Sequence, residues 1–324
     1  MKKETLLITG GSGSLGKALI NHYQKNNPDY DLIVYSRDEG KHIQLPDNVT
    51  KVIGDIRDRD RLDYVFGKYK PSIVISAAAL KRINDLELHP DEAIKTDILG
   101  TQNVMWACDK HEAEKCVHVS SDKAAAGVNV YSVCKFIGER LATNYNNFSK
   151  TKFFSVRYGN CINSRGAAVV VWLDRMKKGQ ELLVTDPLCS RYFFLLEEAV
   201  NFITSMIDIA EGGELFVPIM DSYTMKDVIK ALEIYTGIEP KTRIIGMRPG
   251  EKYHEDMITE VEMNLSFKID DMDVVMIKPQ YYDVTPTKYS ISPYTGKRLV
   301  SSQCLNPNID DLVSLISRGF TLSQ

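Results

Sequence analysis

One stretch limits the fold of this 324-residue chain more than any other: Thr9-Gly10-Gly11-Ser12-Gly13-Ser14-Leu15-Gly16. It sits between an apolar run, Thr5 to Thr9, and an amphipathic pattern, Leu15 to Lys25. Glycines at such a junction allow a tight turn and let the backbone approach a pyrophosphate, which the helix N-terminus then faces. The motif alone is also compatible with a plain loop, but its place between the first strand and the first helix favours a dinucleotide site. Its expected contacts are Gly10, Ser12, Gly13, Ser14, Leu15 and Gly16.

The same alternation continues. Asp31 to Tyr35, Lys51 to Ile53, Ile73 to Ser76, Cys116 to Val119 and Phe153 to Arg157 read as further strands. Arg59 to Lys68, Pro90 to Asp109 and Tyr131 to Tyr145 carry apolar residues at helical spacing. Repeated βα units of this kind imply an α/β fold, a Rossmann-type doubly wound parallel sheet. From about Asn160 onward glycine, serine and proline punctuate shorter elements, which suggests a smaller, interleaved C-terminal substrate-binding domain. The expected division is 1–160 for the cofactor, with a segment near 192–217 returning to it, and 161–324 for the substrate. The returning segment carries a helix from Leu195 to Ile209 stopped by Gly212-Gly213, whereas Thr285 to Lys297 reads as a polar loop.

Composition excludes several classes. With 40 basic and 43 acidic side chains the net charge is −3, too balanced for a nucleic-acid or membrane-surface partner. No run of about 18 apolar residues marks a membrane span, and the first apolar stretch leads into the glycine turn rather than a cleavage site. The six cysteines are scattered without a C-x-x-C pair, which fits reduced thiols and a cytoplasmic location. His254-Glu255 lacks a second histidine at helical spacing, so no metal is expected.

The second strand ends Tyr35-Ser36-Arg37-Asp38. A guanidinium forks onto phosphate and Ser36 adds a hydroxyl, which favours NADP, while Asp38 leaves NAD open. Asp55, next to Ile56, has two readings: acceptor for the adenine amine, or helix cap.

Tyr131 and Lys135 lie one helical turn apart and so share a face. An ammonium beside a phenol lowers its pKa and lets it serve as a base. Ser120-Ser121-Asp122-Lys123 follows a strand and therefore emerges at the carboxyl end of the sheet, where ligands bind. A hydroxyl, a carboxylate, an amine and a phenol together exceed what a plain alcohol dehydrogenase needs, and the surplus acid and base suggest elimination.

At this point the sequence resembles a known family, the short, soluble, inverting UDP-N-acetylglucosamine 4,6-dehydratases of pseudaminic-acid and L-aminosugar pathways, extended short-chain dehydrogenases/reductases by type. The matching stretches are the glycine turn, Tyr35-Ser36-Arg37-Asp38-Glu39, Ala77-Ala78-Ala79-Leu80-Lys81, Ser121-Asp122-Lys123-Ala124-Ala125, Arg157-Tyr158-Gly159-Asn160, Ser164-Arg165-Gly166 and Arg248-Pro249-Gly250-Glu251-Lys252. The resemblance implies Asp122, Lys123 and Tyr131 as the catalytic set, aided by Ser121, with Lys135 orienting the nicotinamide ribose. For the cofactor it implies Ser36, Arg37, Asp38, Lys41, Asp55, Ile56, Ala77, Ala78, Ala79, Lys81 and Thr96 beside the glycine turn. For a UDP-sugar it implies Lys81, Asn160, Arg165, Arg191, Arg248 and Glu251, the arginines having surface ion pairing as their other reading. A homo-oligomer, dimer or hexamer, is implied as well.

Membrane-anchored retaining relatives carry methionine where this chain has Tyr131, which points to the inverting branch. The chain departs from the pattern at Asp97, where relatives have asparagine, at Ser132-Val133-Cys134 and at Val300-Ser301-Ser302-Gln303-Cys304. The expected chemistry is oxidation at carbon 4 with Tyr131 as base, proton removal at carbon 5 by a Lys123 amine made neutral by burial or nearby positive charge, and protonation of the leaving 6-hydroxyl by Asp122. A UDP-hexose epimerase, or a non-catalytic NADP-binding protein, would use the same fold without needing Asp122 and Lys123.

Overall fold

The structure, a computed structural model, describes residues 4–321. Thr5–Thr9 (β1), Asp31–Ser36 (β2), Thr50–Ile53 (β3), Ile73–Ser76 (β4), Lys115–Val119 (β5) and Lys152–Val156 (β6) run parallel in the order β3-β2-β1-β4-β5-β6. Parallel strands buried on both faces need near-continuous apolar runs, and Leu6, Leu7 and Ile8 of β1 are wholly buried. The strand order reverses between β1 and β4, and a crevice at such a reversal, beyond the carboxyl ends of the strands, is where ligands of open α/β sheets sit.

The sheet does not end at β6. Leu215–Pro218 adds in parallel, and Val274–Ile277, Ser266–Ile269 and Ile291–Pro293 extend it antiparallel to ten strands. The helix Leu196–Ile209 turns Ala199, Val200, Ile203 and Met206 into the same core as Leu19, Ile20 and Tyr23 of the helix Ser14–Asn26. A second core gathers Trp172, Leu182, Val228, Leu232, Leu312 and Ile316 beneath the helices Ala168–Lys177, Met225–Thr236 and Ile309–Thr321. Between the two cores a small sheet places Ser190–Phe194 beside Asn160–Cys161 and Ser222–Thr224.

Two elements differ from the periodicity. The stretch read as one helix from Pro90 to Asp109 is Pro90–Ala93, a π-helical turn Ile94–Gly100, and Thr101–Lys110. The wider turn packs Gly100 against Ile56 so closely that a Cβ there would lie 2.7 Å from the isoleucine side chain. Within the stretch read as a polar loop, Ile291–Pro293 forms an edge strand on Phe267–Ile269. It is too short to show alternation, and its proline is tolerated at an edge. Among the described residues no helix is long and apolar enough to cross a membrane.

Candidate active site

The glycine turn is built for close approach. Gly10 has φ +69°, and a Cβ on it would lie 2.9 Å from the Ala78 Cα, so strain and space both demand glycine. Gly16 is pressed on Gly11, where a Cβ would come within 2.3 Å of backbone. The hydroxyl of Thr9 accepts the amides of Ala77 (3.0 Å) and Ala78 (3.1 Å), fixing the end of β4 beside the turn. The helix Ser14–Asn26 begins with no capping side chain among the described residues and no acidic residue in its first turn, which leaves its leading amides without a side-chain partner. Thr96, buried on the π-helical turn, has a hydroxyl without a partner. Leu15 is partly buried at the helix start, and Ile56 is buried beneath the π-helical turn.

At the end of β2 the Ser36 hydroxyl meets His42 Nε2 at 2.5 Å. Arg37, half exposed, lies 3.6 Å from Asp55. Asp38 accepts the Lys41 amide as a helix cap and pairs with its ammonium. Its carboxylate is thereby occupied, whereas the Arg37 guanidinium is half exposed beside Asp55. Asp55 binds the Arg57 guanidinium at 2.8 Å, and these bonds hold its carboxyl below the usual range although burial opposes them.

The polar loop after β5 carries the reactive groups. Asp122 is fully buried: Oδ1 accepts from the Ser121 hydroxyl (2.7 Å), the Lys123 amide (2.9 Å) and the Lys123 ammonium (3.0 Å), while Oδ2 has no partner. Lys123 also donates to Asn160 Oδ1 at 3.2 Å. Burial pulls its amine down, but Asp122 and Glu255 outweigh that and hold it above the usual lysine range. The carboxylates beside the amine favour its charged form, opposite to the effect of burial.

Tyr131 and Lys135 stand on the helix Val130–Phe148, which starts with a capping box at Asn129 and Ser132. Burial pushes the Tyr131 phenol up to about 12, against the Lys123 charge and a hydrogen bond with Ser121. The Lys135 ammonium instead donates to the Val119 carbonyl at 2.8 Å, and burial lowers it. The Lys123 charge and the Ser121 hydrogen bond favour ionisation of the phenol against that burial. Asp97 is buried beside Lys135; Oδ1 accepts the Leu80 amide (2.8 Å), Oδ2 has no partner, and burial raises the carboxyl to about 6.

The expected substrate-side residues divide. Asn160 bridges Lys123 and the Tyr192 carbonyl (3.1 Å). Arg191 is folded onto the carbonyls of Ser190, Lys252 and Tyr253. Lys81 donates to the Arg165 carbonyl (3.1 Å), and the Arg165 amide donates to Ser14 (3.2 Å), which ties that segment to the glycine turn. Arg248 and Glu251 pair with each other at 3.5 Å near the surface.

Three residues without a role in the sequence reading matter here. Glu255, 4% exposed, lies 3.9 Å from Lys123, 3.8 Å from Arg191 and 3.7 Å from Lys252. Its only signal was its place just after the Arg248–Lys252 motif. Glu139, one turn beyond Lys135, takes both arms of the wholly buried Arg157 at 2.9 and 2.7 Å. Arg157 also grips Glu262 (2.9 Å) and the Met257 carbonyl (2.8 Å), anchoring the Tyr131 helix to the segment that follows Glu255.

Residues 6–277 match the family described as polysaccharide biosynthesis protein. The inverting UDP-N-acetylglucosamine 4,6-dehydratase of Campylobacter jejuni is 35% identical over 88% of this chain and 84% of its own length. The UDP-glucose 4-epimerase of Rickettsia canadensis is 33% identical over 99% of this chain and 94% of its own. Among solved structures, Pen from Bacillus thuringiensis superposes with a TM-score of 0.86 at 30% identity, covering 98% of each chain. With its Rossmann sheet, its glycine turn and its tyrosine and lysine on one helix, the chain belongs to the polysaccharide biosynthesis protein family, among the nucleotide-sugar dehydratases and epimerases of short-chain dehydrogenase/reductase type.

Proposed function

We propose that this chain is an NADP-dependent, 5-inverting UDP-N-acetylglucosamine 4,6-dehydratase, a hydro-lyase that yields a UDP-4-keto-6-deoxy-L-hexosamine. The observation that carries this reading is the buried Asp122–Lys123 contact of 3.0 Å next to Tyr131, with one Asp122 oxygen unpartnered. Epimerisation at carbon 4 needs only the phenol; elimination needs an acid and a base besides.

Residues 1–160, with the returning segment 192–217, would hold the cofactor, and 161–324 mainly the UDP-sugar. The glycine turn and the free amides of its helix suit the pyrophosphate, and the Thr96 hydroxyl is an unused polar contact. Asp38 is committed to Lys41 while Arg37 stays half exposed at the strand end with a looser 3.6 Å contact to Asp55, which supports NADP over NAD. When bound, the nicotinamide supplies the acceptor for hydrogen leaving carbon 4 and its later return to carbon 6.

Tyr131 takes the proton of the 4-hydroxyl, and the resulting ketone acidifies carbon 5. Proton transfer from Lys123 to Asp122 across their contact creates both forms the elimination requires, a neutral amine and a carboxylic acid. Lys123 then removes the carbon-5 proton and Asp122 protonates the departing 6-hydroxyl, which leaves as water. A proton drawn from solvent and delivered to the opposite face of carbon 5 inverts that centre. Asn160, Arg165, Arg191, Arg248 and Glu251 are the proposed contacts to the nucleotide-sugar, three arginines suiting a diphosphate. Arg191 and Arg248 must leave their present partners to reach it.

Exposed Leu99, Val133 and Phe136 on neighbouring helices support a homo-oligomer, and six free cysteines suit a reducing cytoplasm. The test is Lys123→Ala. It should bind NADP as before yet lose deuterium exchange at carbon 5 by about a hundredfold or more. A variant that still exchanges and inverts normally would show that another base acts.

A further inference from the structure

Glu255 is a buried carboxylate that the proposed steps leave unused. Its Oε1 lies 3.9 Å from the Lys123 ammonium, on a different element from Asp122, and 3.8 Å from Arg191. Its Oε2 has no hydrogen-bond partner among the described residues and lies 3.7 Å from the Lys252 ammonium, which has none among them either. The carboxylate is held in place by its backbone: the Glu255 amide donates to Ser301 (2.9 Å) and the Ser301 amide donates back to the Glu255 carbonyl (2.8 Å). Beyond this trio, Asp122 faces Glu255 across Lys123, and Asp256, paired with Arg298, faces Lys252 at 4.0 Å.

An acid–base couple that must hold one proton between a carboxylate and an amine works only while that proton stays in the site. A second carboxylate close to the amine strengthens proton binding there, and cations behind it limit the effect. We infer, on the dehydratase reading above, that Glu255 is the positioning residue that keeps the single proton of the Asp122–Lys123 couple in place, with Lys252 as its counterweight. Glu255 touches no reacting atom in this assignment; it acts through Lys123. Burial, joined by the Asp122 charge, lifts the Glu255 carboxyl above its usual value, and Lys123, Arg191 and Lys252 reduce that rise without reversing it. No atom is transferred to Glu255: the proton moves only between Lys123 Nζ and Asp122 Oδ1, and the negative charge of Glu255 fixes the pH at which the couple loses it.

The experiment is the pH dependence of deuterium incorporation at carbon 5 by the NADP-loaded enzyme with UDP-GlcNAc. Removing a carboxylate beside an ammonium disfavours the charged amine, so Glu255→Gln should move the basic limb down by about one to three pH units. Removing the counterweight does the reverse, so Lys252→Met should move it up. Opposite shifts in two neighbouring variants report charge; a merely structural role would not produce them. Unmoved limbs, or limbs that move in the same direction, overturn the assignment of Glu255 while leaving the dehydratase reading intact. Should Glu255→Gln fail to bind NADP, the Lys252→Met limb decides alone, and no upward shift refutes the inference. Wild-type enzyme that incorporates no deuterium and forms no 6-deoxy product refutes the dehydratase reading itself, and the role of Glu255 falls with it.

Discussion

Replacing Asp97 by asparagine should change the stability of the cofactor-free protein by an amount that becomes steadily more favourable as pH rises. Asp97 is 3% exposed, its Oδ2 has no hydrogen-bond partner, and burial raises its carboxyl from 3.8 to about 6 although Lys135 and the Leu80 amide pull the other way. A carboxyl raised on folding binds its proton more tightly in the native state. Its penalty is therefore absent below the unfolded value, grows as pH rises past it, and is complete above the folded value. A displacement of about two units corresponds to roughly 3 kcal/mol at full ionisation, of which about 1 kcal/mol is already present near pH 4.5. Asparagine keeps the acceptor for Leu80 but buries an unpaired N–H, a cost of about 1–3 kcal/mol that does not change with pH. The pH-dependent part survives that cost: relative to wild type, Asp97→Asn should gain about 2 kcal/mol between pH 4.5 and 8. Thermal melts of both proteins across that range, read as the difference in Tm at each pH, measure it. A difference in Tm that stays flat from acid to alkaline pH would refute a strained, titrating Asp97.

Arg37→Glu removes the exposed guanidinium at the end of β2 and supplies an acceptor for ribose hydroxyls, so titration should show weaker NADP binding and a preference moved toward NAD; unchanged NADP affinity would take Arg37 out of the site. Arg157→Met leaves Glu139 and Glu262 buried without their shared cation, a loss of about 3–5 kcal/mol that chemical unfolding at neutral pH should register. A loss below about 1 kcal/mol would mean that the carboxylates find other partners.

The sheet strands up to β6 were legible because parallel strands buried on both faces must be apolar throughout, and the helices between them because one stripe must face that sheet. The glycine turn was legible because Gly10 needs a backbone that side chains avoid. Asp122, Lys123 and Tyr131 meet in one cluster, as a strand end followed by a helix start allows. What sequence could not supply was environment. Spacing places Lys135 on the face of Tyr131 but does not show that its ammonium turns to Val119. Lys123 meets not only its neighbour Asp122 but also Glu255, a residue remote in the chain that is brought near by the fold alone. The Glu139–Arg157–Glu262 cluster reads in sequence as three ordinary charges, and only its burial gives it meaning. The π-helical turn at Ile94–Gly100 keeps helical periodicity closely enough to pass for an uninterrupted helix.

Product analysis separates dehydration from epimerisation. Wild-type protein incubated with UDP-GlcNAc and NADP in deuterated water should release, by mass spectrometry and NMR, a UDP-4-keto-6-deoxy sugar of the L configuration carrying deuterium at carbon 5. A UDP-hexosamine that retains its 6-hydroxyl, is altered only at carbon 4, and has no deuterium at carbon 5 would contradict the account and identify an epimerase instead.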